Sequence, residues 1–275
     1  MAERVWLNSG RPIKQVLASI ADGDTVQFDG PLAPATVRAL ERTLADKPDV
    51  TLRLYDSELT KLSVLAGFTK LRKLIVQCRA LRSFDEIGAL VHLEDLDLGE
   101  TKSKLPNVSF MSALVKLRSL GIHGHGKGIE HVLELPVLEV LSLRAVKLDR
   151  IEPRHLSRLR SLSLSWCPGG IAHAAIGAPQ LRTLALGAFR DATSADLTPL
   201  GSLRHLESLS LDSFPKLTSL EFLAGSPIRE LAIQNATGLR SLDGLAGCAK
   251  LERLTLRAVP NLTSFAGLEG CRLRV

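Results

Sequence analysis

The most regular feature of the chain is a short alternation, apolar–polar–apolar, that returns every 21 to 25 residues. It is carried by the segments VTLRLYD, LRKLIVQ, LEDLDLG, LRSLGIH, LEVLSLR, LRSLSLS, LRTLALG, LESLSLD, IRELAIQ and LERLTLR. Their middle residues are Leu52, Leu74, Leu96, Leu120, Leu141, Leu162, Leu184, Leu209, Leu231 and Leu254. Residues two apart in an extended chain point to the same side. Each segment therefore predicts a strand with one apolar and one polar face. A repeat of this size cannot bury its apolar face alone, so burial requires stacking on its neighbours. The return paths show a second period. Leu217, Leu220 and Leu223, then Leu239, Leu242 and Leu245, then Leu262, Phe265 and Leu268 recur at three-residue intervals. That spacing predicts short 3₁₀ or single-turn segments and leaves no room for a long helix.

Residues 1–49 lack the repeat. Ile13, Val16, Leu17 and Ile20 predict a helix over about 11–21, and TVQFDG predicts a short strand. Val37, Leu40 and Leu44 predict a second helix, stopped by Asp46-Lys47-Pro48. The expected organisation is a helix/strand cap over 1–49 and a solenoid over 50–275. A solenoid core needs its ends covered, which gives the cap its role. At the other end, Leu273 and Val275 predict a stub strand, with Arg272 and Arg274 facing out as edge protection.

The LxxLxL segments over residues 50–275 resemble leucine-rich repeats, in the short internalin-like or phosphatase-regulator-like form, and the Leu-, Arg- and Ala-rich usage suggests a bacterial source. The resemblance implies an α/β solenoid. It would be a curved horseshoe with a concave parallel sheet of about ten strands, a slim convex side and an α/β N-terminal cap. One position departs from the family pattern. Many members carry Asn three residues after the last strand leucine. Here that position holds Arg79, Thr101, His125, Val146, Cys167, Phe189, Phe214, Ala236 and Val259. Packing is expected to replace an Asn ladder from Val146 onward.

Composition narrows the function. The apolar content of 45% supports a large core, and 4% aromatic residues argue against a stacking surface for single-stranded nucleic acid. A net charge of +6 allows an acidic partner without requiring one. The four cysteines have no CxxC spacing, so neither a disulfide framework nor a zinc site is expected. The N-terminus has no signal-peptide pattern and no run suits a membrane span, so a cytoplasmic location is expected, with signal-less secretion left open.

Three stretches carry candidate chemistry. The segment SLSLSWCPGG resembles a thiol redox turn, but position 170 is Gly where a resolving thiol would stand. Cys167 is thus read as a core residue, and Ser161, Ser163 and Ser165 as surface strand positions. His123, His125 and His131 lie in a Gly-rich segment read as a repeat loop rather than a metal site. The third candidate is the polar strand face itself. Its expected partner-binding residues are Arg53, Tyr55, Lys73, Asp95, Asp97, His123, Arg144, Ser163, Ser165, Trp166, Asp212, Glu230, Gln234, Arg253 and Arg257. Both signs of charge are present, which disfavours a nucleic-acid groove. The reading is a non-catalytic protein-binding module without cofactor, metal or small-molecule substrate. Its most concrete form is an inhibitor or adaptor, such as a toxin-neutralising immunity protein; a host-directed effector is the alternative. An enzymatic or nucleic-acid-binding repeat protein ranks behind both.

Overall fold

A computed structural model of the chain describes residues 3–8, 10–56, 58–148, 157–168, 178–269, 271 and 273. The chain forms two compact units, Met1–Leu138 and Glu139–Val275.

In the first unit the strands are β1 (Arg4–Trp6), β2 (Thr25–Phe28), β3 (Thr51–Leu54), β4 (Lys73–Val76), β5 (Asp95–Leu98) and β6 (Ser119–His123). Each pairs in parallel with the next. Helix α1 (Ile13–Ser19) buries Val16, and α2 (Pro34–Ala45) buries Leu40 and Leu44. Pro34 opens α2, where its fixed φ suits the first helical position and its missing N–H costs nothing. The expected helices and strand of residues 1–49 are present. Strand β1 is an addition, because three residues are too few to show a period. After β3 to β6 the chain returns through 3₁₀ segments at Ser63–Leu65, Asp85–Ala89, Ser109–Ala113 and Ile129–Glu134.

In the second unit the strands are β7 (Val140–Arg144), β8 (Ser161–Ser165), β9 (Thr183–Gly187), β10 (Ser208–Asp212), β11 (Glu230–Gln234) and β12 (Arg253–Arg257). They pair in parallel in chain order. The register matches leucine to leucine: Leu141, Leu162, Leu184, Leu209, Leu231 and Leu254 stand side by side. The 3₁₀ segments Glu221–Leu223, Asp243–Leu245 and Ala266–Leu268 fall where the three-residue leucine spacing places them. A longer one, Ala195–Ser202, precedes them.

Inward leucines are buried through both units. The last repeat is the exception. Leu254 and Leu256 are only half-buried and Phe265 is 56% exposed, whereas Leu231 and Ile233 one repeat earlier are buried. Among the described residues β12 has a neighbouring strand on one side alone. Of the expected stub strand, Leu273 is exposed and outside any strand, and Arg272, Arg274 and Val275 lie outside the described residues.

The turn after each strand replaces the Asn ladder in ways the sequence count only partly captures. Counted from the last inward strand residue, the buried residue after β3 and β4 comes two positions on, as Asp56 and Cys78, and Arg79 is exposed. The Cys78 thiol donates to the Leu54 carbonyl at 3.6 Å. From β5 onward the third position is used. Thr101, His125, Val146, Cys167, Phe214 and Ala236 are buried, while Phe189 and Val259 are half-buried. Packing is thus the main substitute in the second unit, and Cys167 adds a bond of 3.3 Å to the Leu143 carbonyl of the preceding repeat.

Candidate interaction surface

The polar side chains of the strands form registered rows, because parallel pairing sets equivalent positions ~4.8 Å apart. In the first unit one row reads Arg4, Thr25, Thr51, Lys73, Asp95 and Ser119. The next reads Trp6, Gln27, Arg53, Ile75, Asp97 and Gly121. Arg53 donates to the Gln77 side-chain oxygen, and its guanidinium lies 5.3 Å from the centre of the Tyr55 ring. Tyr55 is 52% exposed. Lys73 pairs with Asp49 at 3.2 Å. Asp97 leans onto Gly121, where an added Cβ would stand 2.7 Å from its Oδ2. Gln27 Oε1, Arg53 Nε and Asp97 Oδ1 are buried without a protein partner, and all three belong to this second row. Burial pushes the Asp95 carboxyl above its usual range, against the opposing effects of Ser119 and Lys73, and Asp97 adds to the rise.

In the second unit the middle row is uniformly small: Ser142, Ser163, Ala185, Ser210, Ala232 and Thr255. Beside it runs Arg144, Ser165, Gly187, Asp212, Gln234 and Arg257. The third row ends in Glu230 and Arg253, which pair at 2.6 Å. Asp212 accepts from Asn235 at 2.8 Å and from Ser213 at 3.1 Å.

Every described strand of the second unit leaves through a residue in the left-handed region: Ala145, Trp166, Ala188, Ser213, Asn235 and Ala258, with φ between 51° and 63°. The ladder continues through them. Ala145 N–H donates to Ser165, Trp166 N–H to Gly187 and Ala188 N–H to Asp212. Glycine would meet this requirement without strain, yet none of the six is glycine. Five are small or Asn; the sixth is Trp166, 53% exposed, with the Arg190 guanidinium 5.6 Å from its ring centre.

The expected binding residues therefore divide by unit. Arg53, Tyr55, Lys73, Asp95, Asp97 and His123 lie on the polar face of the first. Arg144, Ser163, Ser165, Trp166, Asp212, Glu230, Gln234, Arg253 and Arg257 lie on that of the second. All are exposed or half-buried. The left-handed exit row, Arg190 and Lys147 carry no periodic signal in the sequence and emerge only from the turn geometry.

The chemical candidates resolve differently. Cys167 is buried, and desolvation pushes its thiol up, away from nucleophilic character. In the histidine segment, His125 lies in the loop after β6 but is 4% exposed there, and its Nε2 bonds to the Gly99 carbonyl at 3.0 Å. His131 instead contacts Glu134 at 3.1 Å. Among the described residues no cluster of three or more His, Cys, Asp or Glu side chains could hold a metal ion. No helix among them is long and apolar enough to cross a membrane.

No protein-family model matches the chain, and no curated relative matches it. Solved structures do. Toll in the Toll–Spatzle complex of Drosophila aligns with a TM-score of 0.64 and 15% identity, over 97% of this chain and 38% of Toll. The receptor of the TLR13–ssRNA13 complex aligns with a TM-score of 0.56 and 19% identity, over 86% of this chain and 39% of the receptor. An internalin of Listeria monocytogenes aligns with a TM-score of 0.50 and 16% identity, over 87% of this chain and 77% of the internalin. The likeness establishes the leucine-rich repeat fold.

Proposed function

We propose that this leucine-rich repeat chain is a non-catalytic protein-binding module that docks its partner on the polar strand faces. The observation that carries the reading is the registered surface of the second unit. A row of small side chains from Ser142 to Thr255 runs beside a row bounded by Arg144 and Arg257, with Trp166 exposed at its margin. Small residues leave room for a protruding loop or helix. Exposed Trp and Arg are the residue types that anchor protein interfaces. Toll, which shares the fold, is seen in complex with Spatzle. A standard interface of ~1,600 Å² would engage several strands at once.

Within that class the proposed role is a cytoplasmic inhibitor or adaptor, with a toxin-neutralising immunity protein as its concrete form. A host-directed effector is the alternative role for the same surface. Affinity purification from the native host, with wild type and a Trp166→Ala, Arg144→Ala, Arg257→Ala triple variant, tests the class. The expected result is one or more proteins recovered by wild type and lost by the variant. Equal recovery by both would refute the surface assignment. A toxin encoded beside this gene and inhibited by the purified protein would support the immunity role; translocation into host cells would support the effector.

A further inference from the structure

Trp166 occupies a position that its five counterparts fill with Ala, Ser or Asn. A bulky residue in the left-handed region is a genuine outlier, and such strain is retained where something else requires it. Packing does not supply the reason, since half of the side chain is exposed. Its registered neighbours Ala145 and Ala188 are too small to enclose the ring.

Three cations stand in the exit turns of the strands on either side of β8. Arg144 closes β7, Lys147 follows in the same turn, and Arg190 occupies the matching position after β9. All three are exposed. Among the described residues none of the three forms an ion pair, and the Arg190 guanidinium lies over the Trp166 ring. Two described acids in the neighbouring turns are already engaged. Asp191 pairs with Lys216 at 2.9 Å, and Asp212 is held by Ser213 and Asn235.

We propose that this strand-exit edge, Arg144, Lys147, Trp166 and Arg190, is the contact point for an acidic protein segment carrying an apolar side chain. The inference rests on the protein-binding reading and names the chemistry of the partner. The carboxylates pair with Arg144, Lys147 and Arg190, the two arginines offering forked donors suited to them. The apolar residue packs on the Trp166 ring. The patch covers three repeats, on the order of 10 Å. A nucleic-acid track would need the positive charge to continue, but the row runs on through Asp212 and Gln234 before reaching Arg257, so the charge along it is broken.

The test uses the full chain and three fluorescein-labelled probes: a ten-residue peptide alternating Glu and Leu, its Lys/Leu counterpart, and a ten-nucleotide oligothymidine. Fluorescence anisotropy at ~50 and ~150 mM salt reads binding. The Glu/Leu peptide is expected to bind, more weakly at the higher salt, and the Lys/Leu peptide not to bind. Lys147→Glu and Arg190→Glu are each expected to weaken the Glu/Leu peptide at least tenfold, and Arg190→Gln to weaken it less. Unchanged thermal midpoints confirm that the variants fold; Lys147→Gln replaces any that does not. The proposal is overturned by no binding of the Glu/Leu peptide, by indifference to charge reversal, or by tighter binding of oligothymidine. A native partner that needs Arg257 and Gln234 but tolerates Lys147→Glu and Arg190→Glu would overturn this inference and leave the protein-binding reading standing.

Discussion

His125 stands edge-on to Phe84, with ring centroids 4.9 Å apart and planes at 84°. The imidazole fills the turn after β6, two residues past His123, and Phe84 is fully buried. The Gly-rich sequence around it thus serves to bring a polar ring into the core. Its Nε2 reaches the Gly99 carbonyl, so one ring nitrogen is paired within the core.

A pH dependence follows from that burial. Desolvation holds the His125 pKa below the ordinary histidine value, with Lys104 and His123 acting in the same direction and the Gly99 hydrogen bond and Glu100 opposing. The folded state therefore favours the neutral ring, while the unfolded chain takes up a proton near ~6.5. The stability from this site is present above the unfolded pKa and is lost as pH falls through the lower folded one. Thermal midpoints from pH 8 to pH 5 are expected to decline in wild type and to decline less in His125→Asn. Parallel profiles would show that another group governs the acid limb.

Gly244 sets a second limit on the fold. It lies in the 3₁₀ segment Asp243–Leu245, and an added Cβ would stand 2.1 Å from the Leu220 carbonyl carbon and 2.3 Å from the Glu221 nitrogen. Those atoms are backbone and cannot rotate away. Gly244→Ala is expected to destabilise by roughly 1–3 kcal/mol in chemical denaturation, the usual cost of overpacking. Gly225 provides the contrast. Its φ is 68° and nothing lies within 4 Å of a Cβ there, so its constraint is conformational. Asn, which tolerates the left-handed region, is expected to be accepted at 225 and rejected at 244. Equal losses at the two sites would contradict the close-approach account.

The strands were legible because their determinant is local: two leucines two apart, repeated. Leu162 and Leu164 are buried and Ser163 stands between them on the opposite face, as the alternation requires. The turns were less legible because their length changes. Counting three positions past the last strand residue selects Arg79, yet the turn after β4 is tighter and buries Cys78, whose thiol is pushed up to about 11 chiefly by desolvation. The apolar character of Cys78 beside a charged Arg79 is the signal that distinguishes the two. The burial of His125 within its repeat loop was not legible for a different reason: its partner, Phe84, is distant in sequence and no spacing rule links them. On the surface, the polar strand positions were read directly. The left-handed exit row was not, since Ala, Ser and Trp carry no mark of a positive φ.

That exit row makes a sharp prediction at Trp166. With φ at 56°, any side chain there bears a conformational cost that glycine escapes. Trp166→Ala removes the ring and its contact with Arg190 but keeps the strain. Trp166→Gly removes the ring and relieves the strain as well. The glycine variant is therefore expected to be more stable than the alanine variant by roughly 1 kcal/mol, measured by urea unfolding at equal slope. That order is the reverse of a helix or strand interior, where glycine is the weaker choice. Both variants should lose partner binding to the same extent, because the ring is absent from each. An alanine variant as stable as the glycine one would show that the exit turn relaxes when the indole leaves. The strain would then belong to Trp166 alone rather than to the row it shares with Ala145 and Ala188.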